Sequence, residues 1–467
     1  MGAKKKILVV APNTWSYQEL DKRRNQYDFV FVEDQFQKEK LSLIDKLRLA
    51  IGLNFEAIVK RIVGLAKENA ADGILGADDF ISCLYASEAS KYLGLKGART
   101  SLELTFQHKF YSRELQKKIV PNYVPQFGLL DLKNPPAFPF FVKPVRGGAS
   151  MMAARINSKA EFEAYKKVPW LRWFMYKRLL VMFGKIAYKV VGLPMVNSPS
   201  VYEDVIEGVQ CTVEGVVYNG QHEILGIVDS VMYPQSKISF ESFNFPSKLP
   251  IQVQQEMNQV SKKLMTESGF DFGFYNIEFF YNAEKNEIKI IEINPRMAFQ
   301  FTDLYEKVLG FNTFDLFLKM TVGEEINLKD IIENKNAKYS HAASFVKRVF
   351  EDGFVKSVPS KADIMAVGKD FPDVRVLLQA AQGENLSSDF FQDMESFRLM
   401  TVNVGANSET RLAEIYHEIQ NRVQFQIETR SGSGIKNLRQ ELLPKSLTIN
   451  DSLFSESDES IPQRREG

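Results

Sequence analysis

Ile290-Ile291-Glu292-Ile293-Asn294-Pro295-Arg296, taken with Asn276-Ile277-Glu278-Phe279-Phe280-Tyr281 just before it, decides how this chain is read. Both stretches alternate as half-buried strands do, and the residues from Asn282 to Glu287 are polar enough to turn a hairpin. Side chains of a strand change face at every residue. Asn276, Glu278 and Phe280 should therefore share one face, and Ile290, Glu292 and Asn294 one face of the partner. Glu278 then stands opposite Glu292. Like charges paired across strands destabilise a sheet by about 0.2–1 kcal/mol, so a fold that keeps them needs a cation between them. The amide oxygen of Asn294 adds a third hard donor, a set suited to magnesium held partly by protein and partly by the phosphates of a nucleotide.

Length and composition set the frame around this hairpin. A chain of 467 residues exceeds the size at which one core stops growing, and two to four domains are expected. Hydrophobic residues at 45% and charged residues at 25% describe an ordinary globular protein, and a net charge of +1 argues against a general nucleic-acid binder. Cys83 and Cys211 are the only cysteines, too few for a disulfide framework, which favours a reducing compartment and a cytoplasmic location. Lys4-Lys5-Lys6 precedes the apolar run Ile7-Leu8-Val9-Val10, which is too short for a signal peptide and reads as a first buried strand. Lys6 stands where a myristoylation signal after Gly2 requires Ser or Thr. No apolar stretch is long enough to span a bilayer. His108, His222, His341 and His417 are not spaced for zinc.

Along the first hundred residues strand and helix signals alternate: strands at Ile7 to Val10, Phe29 to Val32 and Gly73 to Leu75, helices at Leu41 to Leu53, Ala57 to Ala66 and Phe80 to Leu93. Asp78-Asp79 caps the last helix and Gly94 ends it. The pattern implies a small parallel sheet with helices on both faces, without the glycine fingerprint of a dinucleotide site. Then follow a helix Lys109 to Lys118, strands Phe140 to Val145 and Met151 to Ile156 flanking Arg146-Gly147-Gly148-Ala149-Ser150, a helix Ser158 to Lys167, and a strand Val201 to Ile206. Cys211 to Tyr218 and Glu223 to Val228 form a meander about the hairpin signal Asn219-Gly220, and Ile251 to Ser268 is helical. From His341 to about Glu428 the chain is strand-rich with a helix at Ser408 to Val423, and the tail from Arg430 reads as disordered.

Glu278 followed at strand-to-strand distance by Glu292-Ile293-Asn294-Pro295-Arg296 resembles the metal-binding end of the ATP-grasp superfamily, and the chain as a whole resembles its carboxylate-amine ligases and their biotin-carboxylase-like relatives. The resemblance implies an α/β chain, α+β in its ATP-grasp part. Its domains would be an amino-terminal one at 1–105, an ATP-grasp one at 106–330 and a strand-rich carboxy-terminal one at 337–428, with a disordered tail at 429–467. The ATP-grasp part would divide into a lid subdomain at about 112–206 and a metal-binding subdomain at about 207–330. ATP and magnesium, or manganese, are the implied cofactors, with Glu278, Glu292 and Asn294 as metal ligands.

Lys143 lies in the apolar strand Phe140-Phe141-Val142-Lys143-Pro144. Buried without a partner, it would cost several kcal/mol, so it snorkels outward or faces an anion. In the family's pattern it reaches the α and β phosphates, and Lys109 is the earlier ATP-contacting lysine. Arg146, Gly147, Gly148 and Ser150 would close over the triphosphate with backbone amides near its oxygens. Val201-Tyr202-Glu203-Asp204-Val205-Ile206-Glu207-Gly208 resembles the hinge that reads adenine: Glu203 and the backbone of Asp204 would accept from the exocyclic amine and the Ile206 amide would donate to the ring. Glu207 or Gln210 would hold the ribose, and Gln210 in the usual acidic slot departs from the pattern. Arg296 would grip the γ-phosphate or an acyl-phosphate in bidentate fashion and, with Lys143, act catalytically.

The implied activity is a ligase that phosphorylates a small-molecule carboxylate and joins it to an amine, releasing ADP and phosphate. A bicarbonate-activating carboxylase and a non-catalytic ATP binder are the alternatives. Many relatives are dimers, so a homodimer is compatible with the resemblance. Between Glu163 and Glu203 there is no acidic residue, while Lys166, Lys167, Arg172, Lys177, Arg178, Lys185 and Lys189 alternate with Trp170, Trp173, Phe174, Tyr176, Phe183 and Tyr188. This insertion, 168–190, suits a membrane interface, an acidic partner, the wall of a substrate pocket, or a lid helix with a solvated basic face.

Overall fold

The computed structural model describes residues 3–32, 55–76, 81–147, 152–167, 170–196, 198–236, 238–333, 336–388, 395–429 and 435–437, without the side chains of residues 14, 170–179 and 435–437. The expected helix from Leu41 to Leu53 and the Asp78-Asp79 cap lie outside the described residues.

The apolar run at the amino terminus forms β1 (Lys5–Val10), flanked in a parallel three-stranded sheet by β2 (Tyr27–Val32) and β3 (Gly73–Gly76). Parallel strands are covered on both faces, which is why β1 is apolar at consecutive positions rather than alternate ones. Ile7 and Val9 enter one core, and Leu8 and Val10 another beneath the helices Phe55–Glu68 and Ser82–Leu93. Gly94 ends the second helix in the left-handed conformation at φ 67°.

Four antiparallel strands make a separate sheet in the segment expected to be the lid: β4 (Phe127–Leu129), β5 (Phe140–Pro144), β6 (Ala154–Ile156) and β7 (Ser200–Glu203), in the order β4-β7-β5-β6. The last of these stops at Glu203 rather than at Ile206, and beyond it Asp204 is exposed and Val205 and Ile206 are half-buried.

The inserted segment is a helix, Trp170–Val191, that joins two cores. Leu180 packs with Val145, Met152 and Val201 of the lid. One turn further on, Phe183, Ile186 and Ala187 pack with Leu8, Val10, Tyr85 and Leu104 of the amino-terminal domain. Lys189 pairs with Glu56 at 2.5 Å, and the Tyr111 hydroxyl donates to Pro194 O at 2.6 Å just beyond the helix. Over its described half, the apolar face of the helix is spent on packing within the chain. Among the described residues no helix is long and apolar enough to cross a membrane.

The central sheet contains β8 (Val209–Tyr218), β9 (Gln221–Met232), β10 (Phe240–Phe245), β11 (Phe272–Asn282) and β12 (Glu287–Asn294). Asn219 and Gly220, at φ 48° and 78°, make the tight β8–β9 turn. Further along run β13 (His341–Val349), β14 (Gly353–Ser357), β15 (Arg375–Leu378), β16 (Phe397–Ala406), β17 (Gln426–Thr429) and β18 (Ile435–Asn437). Strand β13 bonds to β10, so the carboxy-terminal strands extend the same eight-stranded sheet, in the order β12-β11-β8-β9-β10-β13-β16-β15. The separate sheet β14-β17-β18 includes residues 435–437, which corrects the expectation that the whole tail lacks structure. Three residues paired through their main chain need no side-chain periodicity and leave no signal in sequence. The rest of the tail lies outside the described residues.

Phe183 is 1% exposed where the inserted helix enters the amino-terminal core, whereas Tyr188 on its outer face is 61% exposed. Phe183→Ala should destabilise the protein by about 3–5 kcal/mol, seen as earlier unfolding in urea. Tyr188→Ser should shift the curve by no more than about 0.5 kcal/mol.

Candidate active site

Glu278 and Glu292 are cross-strand partners in the β11–β12 register, as are Asn276 and Asn294. A bulge falls between Glu278 and Phe279, where Ile291 is the extra residue on β12. The bulge turns Ile290 to the opposite face, into the core with Phe279 and Ile277, and this corrects the strict alternation that put Ile290 beside Glu292. The carbonyl of Ile291 accepts from Arg113 Nη2 at 2.7 Å and Lys143 Nζ at 3.0 Å.

Around that carbonyl sits a buried ionic cluster. Arg113 grips Glu203 with two hydrogen bonds, Nε to Oε1 at 2.8 Å and Nη2 to Oε2 at 3.0 Å, and Lys143 pairs with Glu203 Oε2 at 2.9 Å. All three side chains are buried. Burial pushes the Glu203 carboxyl up, but Arg113 and Lys143 outweigh it and bring it down to about 2. Burial lowers Lys143 to about 8, against the pull of Glu203. Glu203 was expected at the exocyclic amine of adenine. Its carboxylate instead turns inward to two cations. Lys109 opens the helix Lys109–Ile119, where the His108 side chain caps the first turn and the Lys109 amide donates to Val145 O at 2.7 Å, and its ammonium pairs with Glu292.

Glu278 is held from both sides: Gln210 Nε2 donates to Oε2 at 2.9 Å and Asn294 Nδ2 lies 3.3 Å from Oε1. Burial, and next the charge of Glu292, raise Glu278 to about 7. Burial also raises Glu292, yet Lys109 and Lys143 prevail and hold it below the usual carboxylate range. The donor set is two carboxylates and an amide, hard oxygen chemistry that fits magnesium or manganese. Among the described residues no three His, Cys, Asp or Glu side chains cluster as a metal site.

The structure brings Lys109, Lys143 and Arg146 to one cavity with Glu292 and Asn294. Gly147 ends the described part of the glycine turn, and Gly148 and Ser150 lie outside the described residues. Asp204 and Ile206 lie in the irregular connector after β7, with the Asp204 amide donating to Gln126 O at 3.0 Å. Glu207 is exposed and pairs with Arg155 of β6 at 3.1 Å. Gln210, expected at the ribose, faces Glu278 instead because it lies on the same face of adjacent β8. Arg296 is half-buried on the connector to the helix Phe299–Leu309, its Nη1 donating to Met297 O at 3.2 Å.

Two residues escaped sequence reading. Arg113 had a signal: Lys109, Arg113 and Gln116 recur at helical spacing on one face. Glu214 of β8 had none. It is fully buried, accepts from the Ala298 amide at 3.1 Å, contacts the Tyr305 hydroxyl at 3.2 Å, and is raised to about 8 by burial.

Residues 136–302 match the family model described as ATP-grasp domain. The chain carries an ATP-grasp domain. Over 132 residues it is 26% identical to the carbamoyl phosphate synthase large chain of Myxococcus xanthus (strain DK1622), an alignment spanning 26% of this chain and only 12% of that relative. Its structure is similar to an L-amino acid ligase from Bacillus licheniformis, with TM-score 0.67 and 15% identity, covering 92% of this chain and 100% of the other. It is also similar to the biotin carboxylase domain of the Hydrogenobacter thermophilus 2-oxoglutarate carboxylase, in complex with MgADP and bicarbonate. There the TM-score is 0.60 and the identity 16%, covering 93% and 92% of the two chains. At these identities the structural likeness is one of fold, and it extends beyond the ATP-grasp domain to the flanking units.

The Glu203 cluster carries a pH signature. Its folded pKa is depressed, so its contribution is fully present above the ordinary value of 4.5 and is lost as pH falls towards about 2. Glu203→Gln should cost about 3–5 kcal/mol at pH 7 by leaving Arg113 and Lys143 unbalanced. In urea titrations the gap to the unaltered protein should close between pH 4.5 and 2.

Proposed function

We propose that the protein is an ATP- and magnesium-dependent ligase that activates a small-molecule carboxylate as an acyl-phosphate and joins it to an amine, releasing ADP and phosphate. The observation that carries this reading is the convergence of Lys109, Lys143 and Arg146 with Glu292 and Asn294 on one cavity.

Phosphoryl transfer to a carboxylate brings several negative charges together, and catalysis rests on fixed opposing charge and positioning. Lys143 and Lys109 are assigned to the phosphates of ATP, and Arg296 to the γ-phosphate and the acyl-phosphate. Glu278, Glu292 and Asn294 would hold the magnesium, which supplies charge neutralisation on the phosphates. Lys143 and Arg113 share Glu203, so that cluster carries one positive charge in excess beside the cavity. Arg113 keeps Glu203 balanced when Lys143 turns to phosphate. With the Glu203 carboxylate committed, adenine recognition falls to the backbone of the 204–206 connector. The ribose contact is left to residues other than Gln210.

A coupled ADP-release screen over amino acids, short peptides and hydroxy acids, with and without amines, tests the reaction. ADP release should require a carboxylate together with an amine, and Glu292→Gln should lower the rate about 10²–10³-fold, as loss of a preorganised charge does in other sites. Release driven by bicarbonate without an amine would point to a carboxylase. A Glu292→Gln variant turning over like the parent would remove the site assignment.

A further inference from the structure

We propose that Asn276 is a positioning residue that fixes which end of the Asn294 amide faces the cation. The inference rests on the reading of Glu278, Glu292 and Asn294 as the metal ligands.

An asparagine amide can turn over, exchanging its oxygen for its NH2 at almost no steric cost. Only hydrogen bonding decides between the two faces. Asn276 Nδ2 lies 3.0 Å from the carbonyl oxygen of Arg296, a group that can only accept. That contact sets the orientation of Asn276, whose Oδ1 must then face the other way. There it meets Asn294 Nδ2 at 3.0 Å. Since Oδ1 can only accept, Asn294 must present its NH2 to Asn276. The same NH2 lies 3.3 Å from Glu278 Oε1 and 3.5 Å from Glu292 Oε1, acceptors that also favour this orientation. The Cγ of Asn294 is trigonal, so its Oδ1 is directed away from Asn276. The carbonyl end becomes the donor available to a cation, and its direction traces back through Asn276 to a backbone carbonyl.

The chain of contacts is held rigidly. Asn276 is 3% exposed and sits in the middle of β11, laddered to Glu214 on β8 and Asn294 on β12. Its two partners flank Pro295, so a single side chain spans the turn that presents both Asn294 and Arg296. An amide turned the wrong way would point its NH2 at a divalent cation. Loss of outer contacts that orient metal ligands weakens binding by about 10–100-fold.

The test is a titration of the full-length protein with Mn2+ in the presence of ADP, following free Mn2+ by electron paramagnetic resonance. Glu292→Gln should abolish binding, and a variant that binds like the parent would sink the metal-site reading itself. Asn276→Ala should weaken Mn2+ binding about 10–100-fold. Asn294→Asp supplies oxygen on both limbs, so adding Asn276→Ala to it should change affinity by less than about threefold. Asn276→Thr, which fills more of the space but cannot span both partners, should repeat the pattern and covers the case in which the alanine variant folds poorly. With Glu292→Gln inactive in binding, the proposal is overturned if Asn276→Ala and Asn276→Thr bind Mn2+ like the parent. It is equally overturned if they lose the same factor with Asn294 and with Asp at 294, since a merely structural role would not depend on the ligand's symmetry.

Discussion

Glu278 and Glu292 face each other across two strands of a sheet buried on its other side, and much of the surrounding structure is a response to that repulsion. Amides from Gln210 and Asn294 hold Glu278, while Lys109 crosses from the start of its helix to pair with Glu292. The two acids differ accordingly: Glu278 is raised to about 7, first by burial and then by its neighbour's charge, and Glu292 is held down by lysines. A site so arranged favours an incoming cation at one end and phosphate at the other.

Much of this was legible because acids and lysines are anomalous in apolar strands. Lys143 among phenylalanine and valine announced an anionic partner, and the structure supplies one, though it is the protein's own Glu203. The period of two gave the cross-strand pair from sequence alone. It failed at Ile290, because a bulge inserts a residue without altering composition. That failure matters, since the freed carbonyl of Ile291 is where Lys143 and Arg113 meet. The ionic partners of Glu203 were hidden for a similar reason: its residue type was visible, but not the helix that carries Arg113 to it. Glu214 gave no warning, being a polar position on a strand that alternates anyway, whereas alternation alone put Asn276 on the face of Glu278.

The inserted helix shows the limit of composition most clearly. Its basic and aromatic character left a membrane interface, an acidic partner, a pocket wall and a solvated lid helix open. Phe183, Ile186 and Ala187 turn out to fill the amino-terminal core while Leu180 fills the lid core. Leu180 and Phe183 lie one helical turn apart, so a single stretch of the helix serves both cores, and no local pattern says which core waits on which side. The strand-rich carboxy-terminal region was recognised as such, but its first strand, β13, pairs with β10 through main-chain bonds that sequence does not encode.

That last pairing makes the carboxy-terminal region something other than a detachable appendage. Cutting the chain ahead of His341 would strip β10 of its neighbour and leave a bare row of main-chain donors and acceptors beside Phe243 and Phe245. The fragment carrying the acidic hairpin would then be a sticky half-sheet, prone to self-association, so the region after His341 belongs physically to the sheet it completes.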